Sequence, residues 1–253
     1  MGAFLKRTLP FFVMIGLVWE ALYKFHIWSP YLFPSLVKDV IPSLRAGIQE
    51  GTFLIGTVAS LKRILVGYVL SLILGIPLGL VVGRFKFLDE TLGSLIGVLQ
   101  VLPSVCWLPL AILWFGLSEW AIQFVVIMGA FLPIAIATDS AIKNIPPLYV
   151  RAARTMGVRR FDLYTRVIFP AALPTILAGM KLGWSFAWRS LMAGELLFVS
   201  VGLGQLLQNG RELNDMSQVV AVMLVIMSMG LFFDRIFGFF QNRLSRRWGT
   251  AAR

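Results

Sequence analysis

Cysteine is nearly missing from this chain: there is one, Cys106, in 253 residues. No intramolecular disulfide can form, and no thiolate zinc cluster can be assembled. The apolar neighbours of Cys106 predict an inert packing thiol. Histidine is equally scarce. His26 stands alone near the end of the first apolar run, where an interfacial position without chemistry is expected. Charge is also thin, 14% of residues against the roughly 25% of a soluble domain. Acid is the rarer sign, with 12 Asp and Glu against 23 Lys and Arg. The dipeptide Gly-Lys does not occur, so the chain has no phosphate loop of the kind ending in Gly-Lys-Ser/Thr and cannot hold a nucleotide by that route. No His/Asp/Glu cluster gathers at the end of an apolar run, which argues against an integral membrane enzyme.

What is present is apolar. Hydrophobic residues make up 58% of the chain, and they fall in runs of about 20, the length a bilayer span needs. Six spans are expected, over about 9–28, the later part of 54–83, 92–115, 120–140, 172–198 and 217–240. This is an all-α, polytopic membrane fold forming a single transmembrane domain over 1–253, with its core at about 54–240. The first run follows Lys6 and Arg7 as a secretory signal would, but Trp19-Glu20-Ala21-Leu22-Tyr23 offers no small-residue cleavage site, so a retained span is expected. Pro103, Pro109 and Gly75-Ile76-Pro77 fall inside spans and predict kinks.

The net charge of +11 reads as topology rather than as nucleic-acid binding. With a cytoplasmic N-terminus, the inner segments carry fourteen basic residues, six of them between the fourth and fifth spans; the outer connections carry three, Lys38, Arg45 and Arg211. The bias places both termini in the cytoplasm.

The inner connection over 145–170 is the most informative segment. Pro146 and Pro147 suit a helix start, where a missing N–H costs little. Gly157 suits the left-handed residue that ends a first short helix. A second begins near Val158, with Phe161 and Tyr164 one turn apart, and Pro170 opens the next span. Ala152 and Ala153 are small enough for another surface to approach closely, and the arginines around them supply orientation. Two readings fit: a docking element, or an amphipathic elbow lying on anionic headgroups.

The spacing Ala-Ala, three residues, Gly, nine residues, aliphatic, any, apolar, Pro resembles the coupling loop of binding-protein-dependent ABC importer permeases. It runs over Ala152, Ala153, Gly157, Val167, Phe169 and Pro170, with Arg151 where the family has glutamate. Thr57–Gly67, Gly75-Ile-Pro-Leu-Gly79, Pro103 through Gly116, Ala187-Trp188 through Glu195, and Gly202-Leu-Gly204 resemble the branch for nitrate, sulfonate, taurine or bicarbonate. The resemblance implies a type I importer permease in a bacterial inner membrane, forming a homodimer. ATP-binding cassette ATPase subunits, which use ATP and Mg, would dock at Arg151, Ala152, Ala153, Gly157, Val167 and Pro170. An extracytoplasmic solute-binding protein would deliver the substrate. The chain itself would bind no cofactor, metal or nucleic acid and would be no enzyme. An ion-coupled secondary transporter is the other class; it predicts several mid-membrane acids and an inverted repeat, and neither is visible.

Ionisable residues inside spans are costly and therefore candidates for function: Glu20, Lys181, Arg189 and Glu195. Arg189 reads either as an anion-facing cation on the translocation path or as the ion-pair partner of Glu20 or Asp139. Lys181 is expected to snorkel towards the cytoplasm. Glu195 is expected to be a structural or gate residue near the outer face. Trp184 and Trp188, one turn apart, would line the pathway or pack a dimer.

Overall fold

The computed structural model describes residues 2–247 except 30, 159 and 199, with side chains omitted for 2–9, 160, 242 and 245–247. Of the basic residues that set the expected orientation, Arg159 and Arg253 lie outside the described residues.

The described chain is helical throughout, without strands. In order, α1 is Gly2–Lys24, α2 Ile41–Gln49 and α3 Thr52–Arg84. Then come α4 Lys86–Val101, α5 Ser104–Phe115 and α6 Glu119–Lys143. The series ends with α7 Pro147–Thr155, α8 Phe161–Leu197, α9 Leu203–Glu212 and α10 Met216–Arg247. Four helices, α3, α6, α8 and α10, are long and apolar enough to cross a bilayer uninterrupted. The expected first span falls on α1, which is a helix but is not among the described helices long and apolar enough to cross a bilayer.

The expected third span is not one helix. α4 and α5 form a pair bent by 101°. Leu102 precedes Pro103 and takes ψ 124°, as steric conflict with the proline ring demands. Pro77, Pro133 and Pro174, by contrast, sit within helices that run straight through them. Cys106, just beyond the break, is exposed rather than packed.

Contacts divide the chain into two compact units, 1–60 with 195–229, and 61–194 with 230–253. The boundaries fall inside continuous helices.

In the larger unit α6 is the central element, with Ile122, Val125, Val126, Leu132 and Ile134 buried. Its neighbours approach closely where they carry glycine. A Cβ on Gly79 of α3 would lie 2.6 Å from Thr138 Cβ, and one on Gly183 of α8 would lie 2.6 Å from Ile134 Cγ1. Lipid offers no hydrophobic drive between helices, so such small-residue contact and van der Waals packing take its place. The outward faces stay apolar, as with Leu65, Val69 and Ile73 on α3. In the smaller unit, Val40, Phe53, Ala221 and Val222 form the core.

Candidate functional site

Three groups of residues carry the candidate chemistry. The first is the elbow between α6 and α8. Pro146 caps α7 with φ −55° and ψ 126°. At the other end Gly157 takes φ +82°. Val158 N–H donates to Ala153 O at 3.0 Å and Gly157 N–H to Arg154 O at 3.0 Å, which is the paired pattern of a Schellman stop. The polypeptide then re-enters a helix through a wide π-turn at Tyr164–Ile168 and continues through Pro170 without interruption. Pro170 therefore does not open the span: the helix starts a turn or more earlier, and the π-turn absorbs the irregularity.

The elbow has an inside and an outside. Ala153 is buried with Leu163 and Ile168, packed by Val150, Val158 and Val167. The expectation that both alanines face a partner is thus corrected: only Ala152 is exposed. Outward also lie Arg151, Arg154, Leu148, Tyr149, Met156 and Phe161. Phe161 is 79% exposed, whereas Tyr164, expected on the same face, is half-buried with the Arg84 guanidinium 4.3 Å above its ring. On the same side of the unit, Lys143 joins Asp139 (2.8 Å) and Asp89, so the start of α4 and the end of α6 meet.

The second group surrounds Glu195, which is fully buried in the smaller unit. Its carboxylate accepts from Ser60 Oγ at 2.7 and 2.9 Å and from Gly204 N–H at 3.0 Å. Ser60 Oγ in turn accepts from Leu203 N–H at 2.9 Å. A carboxylate thus sits against the first turn of α9, where the helix dipole favours negative charge. Gly202 and Gly204 leave the room: a Cβ on Gly202 would lie 2.5 Å from Glu195 Cδ. Glu20, in the same unit, accepts from Ser35 Oγ at 2.9 Å and Leu36 N–H at 3.2 Å, so it fastens the turn ahead of α2.

The third group lies on α8 and α10 in the larger unit. Lys181 Nζ meets Asp234 Oδ1 at 2.8 Å, an ion pair with α10 that the sequence did not predict. Trp184 and Trp188 are buried, while Arg189 is exposed. Arg189 does not pair with Asp139, which Lys143 engages, and the contact of Arg189 among the described residues of its unit is the Phe186 ring, 5.5 Å away. Sequence reasoning missed Asp234, hidden in a span counted as apolar, and the Arg63–Glu119 pair. There Arg63 Nε and Nη2 donate to the two carboxylate oxygens at 2.6 Å each.

A helical chain with four helices long and apolar enough to cross a bilayer, a sharply bent helix pair and a compact elbow on a long polar connection defines a multi-pass membrane protein. The chain belongs to the family of binding-protein-dependent transport system inner membrane components, whose model matches residues 75–247. It is similar to a putative ABC transporter permease protein of Methanocaldococcus jannaschii, 34% identical over 235 residues, 91% of this chain and 87% of that one. It is also similar to the nitrate import permease protein NrtB of Leptolyngbya laminosa, 30% identical over 252 residues, 96% of this chain and 90% of that one. Among solved structures, an inward-facing conformation of the MetNI methionine ABC transporter matches with a TM-score of 0.63 at 19% identity, over 78% of this chain and 95% of that chain. That likeness bears on the fold. The chain is a multi-pass transport subunit.

Proposed function

We propose that this permease imports a small oxyanion and draws its energy from a separate ATPase that docks on the elbow at 145–170. The observation that carries the reading is the elbow's construction: a rigid Schellman stop displays Leu148, Tyr149, Met156 and Phe161 beside Arg151, Arg154 and Ala152. Exposed apolar anchors ringed by cations suit a protein partner better than a headgroup layer, because the stop fixes their geometry. Arg151, Ala152, Gly157, Val167 and Pro170 belong to this element, with Ala153 acting from inside it. ATP and Mg would be bound by the partner. A second permease copy and an extracytoplasmic solute-binding protein complete the assembly, and both termini face the cytoplasm, as the basic connections suggest. The nitrate-permease relative, similar over 96% of this chain, supports an oxyanion.

The test is reconstitution. Proteoliposomes holding the chain, its ATPase and its binding protein should take up solute only with ATP, and the chain alone should hydrolyse none. Gly157→Leu should insert normally yet lose both ATPase co-purification and uptake. Intact co-purification and uptake in that variant would remove the coupling assignment.

A further inference from the structure

A cleft of about 190 Å³ opens between α8 and α10 within the larger unit. Lys181, Ser185 and Arg189 line it at four-residue spacing on α8, with Lys181 and Arg189 about 12 Å apart along the axis. Trp184 and Trp188 supply its apolar wall, and Asp234 and Gly230 face them from α10.

Two observations point to a ligand. The first is charge. Lys181 and Asp234 neutralise each other at 2.8 Å, which leaves the cleft with the single positive charge of Arg189. The second is Trp184. Its ring is clamped by Tyr68, Phe233 and Phe237 at centroid distances of 5.0, 4.5 and 5.8 Å. Tyr68 is itself tied by its hydroxyl, which donates to Met180 O at 2.7 Å. Trp184 Nε1–H is buried and has no acceptor. An indole N–H can only donate, and leaving it unmatched in an apolar place is costly. The free charged group on offer in the cleft is therefore a guanidinium, with the carboxylate already engaged and the Trp184 N–H an unmatched donor within the wall. Such a set recognises an anion through oxygen atoms, and the guanidinium plane favours one with two oxygens to present.

We infer that this cleft is a subsite for one small monovalent oxyanion, held by Arg189 against the wall of Trp184 and Trp188, with the Lys181–Asp234 pair as a neutral wall that disfavours divalent anions. The inference rests on the oxyanion reading above and deepens it. The cleft holds about six times the ~30 Å³ share of one liquid water, room for nitrate or a short sulfonate together with a few waters. Asp234 sets the valence: it cancels one of two cations, so a second ligand charge would meet a carboxylate instead of a partner.

The test uses the full-length chain in nanodiscs, titrated with potassium nitrate, sodium methanesulfonate and sodium sulfate and followed by tryptophan fluorescence. Nitrate and methanesulfonate should give a saturable response, with sulfate at least tenfold weaker. Arg189→Gln should weaken nitrate more than tenfold. Gly230→Leu should abolish the response without lowering the melting temperature, because a Cβ there meets nothing within 4 Å and the side chain fills open cleft. Asp234→Asn should bring sulfate level with nitrate or ahead of it. A nitrate response that survives both Arg189→Gln and Gly230→Leu overturns the subsite, as does a sulfate-to-nitrate ratio unmoved by Asp234→Asn. If nitrate uptake by the ATP-driven assembly persists in those cases, the oxyanion reading stands and the cleft alone fails. If none of the three anions responds while the assembly imports some other solute, both fail together.

Discussion

Glu195 offers the sharpest measurement of what holds the smaller unit together. Its carboxylate is wholly buried and takes hydrogen bonds from Ser60 Oγ and Gly204 N–H. Glu195→Ala strands both donors. Hydrogen bonds to a charged group contribute about 1.5–3 kcal/mol each, so the loss should be about 3–6 kcal/mol. Ser60→Ala removes one of the two and also strands Leu203 N–H, which predicts about 1.5–3 kcal/mol. A double-mutant cycle then separates the Ser60–Glu195 bond from its surroundings. Neutral hydrogen bonds between membrane helices average only about 0.6 kcal/mol in such cycles, because the unfolded chain finds other partners in lipid. A charged acceptor in a dry site should exceed that, with a coupling of about 1.5–3 kcal/mol. Equilibrium unfolding of the purified chain by SDS in mixed micelles, read by helical circular dichroism, supplies the four free energies. A coupling no larger than the neutral average would refute the claim that a carboxylate at the start of α9 is what orders this end of the chain.

Two further outcomes are expected. At Gly157, where φ is +82° and a Cβ would touch nothing, replacement by Asn should be tolerated and replacement by Val should cost about 1–2 kcal/mol; paired uptake and melting assays distinguish backbone strain from crowding. Gly79→Ile, whose Cβ would meet Thr138 and the backbone of α6, should lower the detergent melting temperature and the yield of folded protein, whereas the control Gly97→Ala, whose added methyl would meet nothing within 4 Å, should change neither.

Much of the architecture is legible because its signals are local. Apolar runs of about 20 residues locate α3, α6, α8 and α10. Pro146, Pro147 and Gly157 locate the elbow, since each acts on its own residue's backbone. The break at Pro103 is different in kind. Pro77, Pro133 and Pro174 send the same message, yet their helices continue, and only the packing around each proline decides. Long-range partners are not legible at all. Glu195 meets Ser60 across 135 positions, and the choice of Asp234 for Lys181 depends on which faces of α8 and α10 meet. Ala153 was misjudged for the same reason: whether an alanine faces in or out depends on Leu163 and Ile168, which arrive from beyond the turn.

The wide turn at Tyr164–Ile168 holds one residue more than a regular helical turn would. A π-turn takes up that residue within a single broadened turn, whereas each residue of an α-helix advances the azimuth by about 100° and the axis by about 1.5 Å. Removing one residue between 164 and 168 would therefore let the helix close to regular pitch while the elbow keeps nearly its present bearing; the same deletion in a regular stretch of α8 would swing it about a quarter of a circle around the axis. A one-residue gap at this turn in an aligned relative thus leaves the elbow pointing where it does here, although the residue count differs.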